Sequence, residues 1–193
     1  MWLWRVVHCI DTLVKFICGD KMVQNFFELF DLKKSFNLDE NALLIAYQRE
    51  ISRFHPDKFS TSSESEKLQA LQNTALINSA YSALKSPLNR AEYLLNMEGI
   101  NPFDEKDTTM DSNFLLSQIE LREDLEVIKE QKDSLALDDF IDHIKSFIKD
   151  NVSSISEAFT NLWDLKLATM LVRELKFYEQ LNTDANTLMD EWL

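Results

Sequence analysis

From residue 25 onward the apolar positions of the chain recur at helical spacing almost to the C-terminus. A short run, Asn25 to Phe30, precedes Asp31 and the Lys33-Lys34-Ser35 stretch. Asp39 then stands as the N-cap of a helix whose Leu43, Tyr47, Ile51 and Phe54 fall within an arc of roughly 80°. Arg49 and Arg53 project from the far side, where water or a partner must receive them. Pro56 disfavours helical backbone at the residue before it, so this helix ends at Phe54 or His55. A polar loop, Ser60 to Ser65, follows, and Ser63 with Glu66 forms a capping box for a helix through Leu68, Leu71, Ala75, Asn78, Tyr81 and Leu84. Ser86 and Pro87 interrupt that helix. Pro87 suits the first position of a further short one, Leu88 to Met97, which Gly99 stops.

Gly99 to Thr109, with Pro102 and several charged residues, has the composition of a linker. Helical periodicity resumes over Met110 to Lys132, Leu137 to Asp150 and Ile155 to Leu181, with Ser154 and Glu157 as another capping box, and three such helices joined by short breaks predict an antiparallel bundle. Trp163 and Trp192 are expected to pack it, and His143 to sit on its surface one turn after Asp139. The first of the three helices is apolar on two sides. Phe114, Leu121, Leu125 and Ile128 cluster within roughly 60°, a core stripe. Leu115, Leu116, Ile119 and Val127 occupy the opposite arc, with Glu120, Glu123 and Glu126 within or beside it. That second arc fits a protein interface and fits equally a helix packed on two sides.

Composition narrows the function. Two glycines in 193 residues, Gly19 and Gly99, leave no Gly-rich phosphate loop of the P-loop, Rossmann or kinase kind. Residues 1–97 carry as many acidic as basic side chains, so the net charge of −13 falls wholly in the second half. This balance argues against nucleic acid or an anionic membrane as partner, and the uneven placing suggests two modules with different partners. Cys9 and Cys18 match no metal or redox spacing and read as reduced thiols of a cytoplasmic protein. Arg5, Asp11 and Lys15 break up the apolar residues of Met1 to Lys21, so that stretch reads as a short amphipathic or frayed extension of unknown role, neither signal peptide nor membrane span. The fold class expected is all-α, with an extension over 1–21, a helical hairpin module over 22–97, a linker over 98–109 and a three-helix module over 110–193.

Between the two antiparallel helices of the first module stands His55-Pro56-Asp57. An acid/base pair is conceivable there, but no nucleophile or oxyanion loop accompanies it. Phe26, Phe27, Leu29 and Phe30, then Tyr47, then His55-Pro56-Asp57-Lys58, then Asn78-Ser79-Ala80-Tyr81 resemble, in order and spacing, the J domain of DnaJ-type co-chaperones. In that family the His-Pro-Asp loop and the basic face of the preceding helix dock on a DnaK-type chaperone and stimulate its ATP hydrolysis. The resemblance therefore implies chaperone-binding roles for Arg49, Arg53, His55, Pro56, Asp57 and Lys58. A rigid Pro fixes the loop, a carboxylate offers bidentate pairing to Arg, and the basic side chains steer the encounter.

From Met22 to the C-terminus the chain further resembles the HscB family, through Leu84, Pro87, Arg90-Ala91-Glu92-Tyr93-Leu94, Phe114-Leu115-Leu116 and Ile119-Glu120-Leu121-Arg122-Glu123. HscB proteins are non-enzymatic co-chaperones of iron-sulfur cluster biogenesis in which a J domain joins a C-terminal three-helix bundle. The bundle binds the scaffold IscU and delivers it to the chaperone HscA. The resemblance implies that Leu115, Leu116, Ile119, Glu120, Glu123 and, on the last helix, Phe177 bind the scaffold, ordinary core packing being the alternative for Phe177. Val127 stands where the family can carry an acid, which shifts the patch towards apolar contact. The zinc module of some animal relatives has no counterpart here. The implied protein is a monomer needing no cofactor or metal, and the apolar Leu88, Ala91, Tyr93, Leu94 and Leu95 predict an interdomain packing surface and a rigid L shape. A J protein delivering a different client through its acidic bundle remains the alternative.

Overall fold

In the computed structural model, which describes residues 16–18, 21–104 and 111–192, nearly every described element is helical. With so little glycine, the chain starts its helices with side-chain caps. Asn25 accepts from the Glu28 N–H to open α1 (Phe26–Leu29), and Asp39 from those of Asn41 and Ala42 to open α2 (Glu40–Phe54). Ser63 and Glu66 form the expected reciprocal box at the start of α3 (Glu64–Lys85), and Ser86 accepts from the Asn89 N–H in α4 (Pro87–Met97). Asp111, Asp133 and Asp164 cap α5 (Ser112–Gln131), α6 (Ser134–Glu157) and α7 (Leu165–Trp192). Each cap satisfies N–H groups that have no partner within the helix. Helix ends often need left-handed backbone, and only one of those seen here is glycine. Gly99 takes φ 76°, whereas Asp31, Lys132 and Trp163 take 56°, 54° and 47°.

The chain divides into two compact units, Met1–Arg90 and Ala91–Leu193. The division falls inside α4, seven residues before the boundary that composition places after residue 97. Linker composition marks where a helix stops; packing divides elsewhere. In the first unit α2 and α3 pack as a hairpin, with α1 against α3. Phe26, Phe27, Leu29, Phe30, Phe36, Leu43, Ile77 and Leu84 are buried there. The face of α2 that turns inward is Leu43, Ala46 and Glu50, while Tyr47, Ile51 and Phe54 are half-buried. The expected stripe is thus rotated towards an acidic residue that an apolar wheel leaves outside. On α3 half of the buried side is alanine, with Ala70, Asn73, Ile77, Ala80, Ala83 and Leu84, and Leu68 and Leu71 face out at 56% and 57% exposure.

Preceding α1, β1 (Phe16–Cys18) and β2 (Lys21–Val23) pair antiparallel, Phe16 opposite Val23. This short ladder adds strands that the all-helical expectation lacked, because three-residue runs are too brief to show period-two alternation. Residues 1–15, with Cys9, and the part of the linker over 105–110 lie outside the described residues.

In the second unit α5, α6 and α7 pack pairwise around Phe114, Leu121, Leu125, Leu137, Phe140, Ile144, Phe177, Leu181 and Leu188. The break before the last helix is displaced from the expected one. Ser154 does not cap a helix there. It donates to the Asp150 carbonyl within α6, satisfying its hydroxyl without ending the helix. The helix instead widens to π geometry over Ala158–Leu162 and turns at Trp163, which is 57% exposed and not packed in the bundle. Trp192 packs against the core, and His143 lies 4.4 Å from the Phe147 ring.

Candidate docking surfaces

In the first unit, the end of α2 and the turn that follows it are tied down at several points. Pro56 starts a 3₁₀ turn, Pro56–Phe59, whose Asp57 N–H donates to His55 Nδ1 at 3.3 Å and whose Lys58 N–H donates to the His55 carbonyl at 3.0 Å. His55 is therefore the side-chain cap of its own loop. The Asp57 carboxylate is 90% exposed, with one oxygen 3.5 Å from His55 Nδ1. Behind the turn the Thr74 hydroxyl donates to the Phe54 carbonyl at 3.0 Å, fixing the last turn of α2 on α3. Further along the hairpin Tyr47 stacks on Tyr81 with centroids 4.2 Å apart and donates to Asn78 Oδ1 at 3.0 Å, so three residues of the J-domain pattern form one contact. His55, Pro56, Asp57 and Lys58 are all exposed on this turn.

The two arginines are not loose charges. Arg49 donates through Nε to Glu50 at 2.8 Å and through a terminal nitrogen to Asp31 at 2.9 Å. Arg53 donates to the other Glu50 oxygen at 3.0 Å, and its guanidinium lies 5.5 Å from the Phe54 ring centre. The hydrogen bond that Arg49 donates to Glu50, foremost, raises the Arg49 pKa against the opposing effect of burial. Glu50 itself is 2% exposed. Sequence reasoning missed it; its position between Arg49 and Arg53, three residues before the latter, was the available signal.

In the second unit α5 separates its residues as the wheel divides them. Phe114, Leu121 and Leu125 are buried, while Leu115, Leu116, Ile119 and Val127 are 44%, 60%, 53% and 49% exposed. Glu120 and Glu123 are exposed on the same outward side. Such a ladder of apolar side chains rimmed by carboxylates suits a protein partner with an apolar centre and basic edge. Beside Val127 a shallow groove of about 330 Å³ between α5 and α6 is lined by Ile128, Ala136, Phe140 and His143, with Asp124 and Asp139 also on it.

Phe177 is placed differently from the expectation. It is 9% exposed, edge-on to Phe114 at 5.7 Å, with the Arg122 guanidinium 5.2 Å from its ring centre. It belongs to the bundle core, because an aromatic ring between α5 and α7 buries more surface there than it could on the outside. The structure thus brings Leu115, Leu116, Ile119, Glu120 and Glu123 together on one open face and leaves Phe177 out of it. Among the described residues no group of His, Cys, Asp and Glu is arranged to hold a metal, and no helix is long and apolar enough to cross a membrane.

Comparison with known proteins places both surfaces in context. Residues 110–186 match the family model described as the HSCB C-terminal oligomerisation domain. Chaperone HscB from Vibrio cholerae is 36% identical, with a TM-score of 0.78 and a match covering 88% of this chain and 99% of that one. The human co-chaperone protein HscB is 27% identical, with a TM-score of 0.80 over 90% of this chain and 89% of that one. The Jac1 co-chaperone from Saccharomyces cerevisiae, 24% identical, shares the fold with a TM-score of 0.70 over 86% of this chain and 95% of that one.

Proposed function

We propose, since this chain belongs to the HscB family of J-domain co-chaperones of iron-sulfur cluster assembly, that it stimulates ATP hydrolysis by a DnaK-type chaperone of the HscA kind and delivers the scaffold IscU to it. The observation that carries this reading is the ordered, exposed His55-Pro56-Asp57 turn in a chain that spans 99% of an HscB protein. The first unit supplies the chaperone contact through His55, Pro56, Asp57 and Lys58, with Arg49 and Arg53 beside them. A turn already held by Pro56 and by the His55 cap presents the Asp57 carboxylate to a partner arginine without first having to be ordered. The second unit supplies the scaffold contact through Leu115, Leu116, Ile119, Glu120 and Glu123.

The protein has no catalytic step of its own in this reading. It couples two binding events, raising the concentration of client at the chaperone while hydrolysis is triggered. It acts as a cytoplasmic monomer without cofactor. Steady-state ATP hydrolysis by HscA, with and without IscU, tests this with the chain as it stands and with His55→Gln. Stimulation that needs His55 and grows synergistically with IscU is the expected result. Stimulation that needs His55 and ignores IscU keeps the chaperone contact and rejects the scaffold.

A further inference from the structure

The charged network beneath the arginines is not accounted for by the motif. Glu50 is 2% exposed on the side of α2 that faces the hairpin core, flanked by Leu43 and Ala46. A carboxylate there is expensive. Burial of an ion pair is seldom more stabilising than a well-packed apolar side chain of similar size, so stability alone does not explain the residue. What its two oxygens do is specific. One accepts from Arg49 Nε at 2.8 Å and the other from Arg53 at 3.0 Å, so a single buried group fixes two guanidinium groups that are themselves about half exposed. Asp31, on the segment between α1 and α2, holds the outer side of Arg49 at 2.9 Å. Each guanidinium keeps further N–H donors for a partner.

We propose that Glu50 is a positioning residue of the chaperone-docking surface: from inside the hairpin it holds Arg49 and Arg53 in fixed places beside the His55-Pro56-Asp57 turn. This rests on the co-chaperone reading above. Arginine side chains have many rotamers, and immobilising them is a cost that docking must otherwise meet. Glu50 meets it during folding. The partner surface such a fixed basic pair fits is acidic, with carboxylates spaced to receive two guanidinium groups at once.

The test is the same ATPase assay, titrated with the full chain. Glu50→Gln keeps the shape and removes the charge. The half-saturating concentration for stimulation should rise about five- to tenfold while the maximal rate stays unchanged, since only binding is altered. In an Arg49→Gln, Arg53→Gln background the same Glu50 change should add nothing, which a purely structural role would not produce. An unmoved half-saturation in folded Glu50→Gln overturns the proposal. So does a fall, which would mean that Glu50 masks positive charge. Should Glu50→Gln fail to fold, Asp31→Asn decides: it removes the outer tether of Arg49 at the surface. A rise of about twofold supports the positioning network, and no change overturns it. Absence of any His55-dependent stimulation by the unaltered chain overturns the co-chaperone reading and the role of Glu50 together.

Discussion

The two candidate surfaces are built on opposite principles. On the first unit's candidate surface the groups are mostly polar, and three of them are held: His55 by the Asp57 N–H, Arg49 by Glu50 and Asp31, Arg53 by Glu50. In the second unit the exposed centre is aliphatic, its side chains about half exposed along one helix. Charged contacts are directional, so their strength depends on placing donors and acceptors beforehand. Apolar contact scales with area and tolerates adjustment, so a ladder of Leu115, Leu116 and Ile119 needs no scaffolding beyond α5. In the proposed roles, fixed geometry serves the surface that docks a chaperone, and open apolar area the surface that docks a client.

The sharpest way to break this division is His55→Gln. It removes the ring nitrogen that caps the turn and should abolish stimulation of the chaperone while leaving affinity for the scaffold as it was, by titration calorimetry. A parallel loss of scaffold affinity would show that the surfaces are not separate. The next largest effect concerns Phe177. As a core ring against Phe114 it should cost about 3–5 kcal/mol of stability on replacement by alanine, measured by urea unfolding. If Phe177→Ala instead leaves stability intact and weakens scaffold binding, the ring is a contact residue and the line drawn between core and patch is misplaced. Smaller again is Leu116→Asp with Ile119→Asp, two exposed positions where folding should be little disturbed. Scaffold affinity should fall about 10- to 100-fold, consistent with loss of a central apolar cluster, with stimulation in the absence of scaffold unchanged. Equal loss of both activities would contradict independent surfaces.

What could be read from the chain was local. Asp39, Ser63 with Glu66, and Pro56 announce helix ends through chemistry within four residues, and all three stand where expected. The two-sided pattern of α5 was legible because a periodicity of 3.6 residues separates Phe114 from Leu115 without reference to anything else. The misses share a cause. Glu50 sits inside because arginines on the same helix neutralise it, and a wheel scored by polarity sees only an acid. Leu68 and Leu71 lie outside because alanines make the tight side of α3, and size did not enter the reckoning. Ser154 looks like a cap but bonds within its helix; the turn comes at Trp163 and the cap at Asp164, ten residues after Ser154, beyond a π segment that no simple periodicity foretells. Phe177 satisfies both an interface and a core pattern, and only packing chooses between them.

Acid should separate the units in the smallest but most direct way. In the first, the Ser63 hydroxyl, and then its N–H, lower the Glu66 pKa from its ordinary 4.5. A carboxylate with a depressed folded pKa adds stability above 4.5 that is lost as pH falls through the lower folded value. In the second, burial foremost raises the pKa values of Glu92, Glu174 and Glu179, with Asp111 adding to the shift at Glu174 and Lys176 opposing it at Glu92. The sign reverses for these: a raised folded pKa favours the folded state fully below 4.5, and that contribution disappears as pH rises through the folded values. Mild acidification from about pH 7 to about pH 5 should therefore increase protection of α5, α6 and α7 in native-state hydrogen exchange, corrected for intrinsic rates. Below about pH 4.5 the start of α3 should lose protection as its cap protonates. Loss of bundle protection in the upper part of that range would mean that the half-buried glutamates are stabilised as carboxylates by partners, and the second unit would then be held by fixed charges much as the first is.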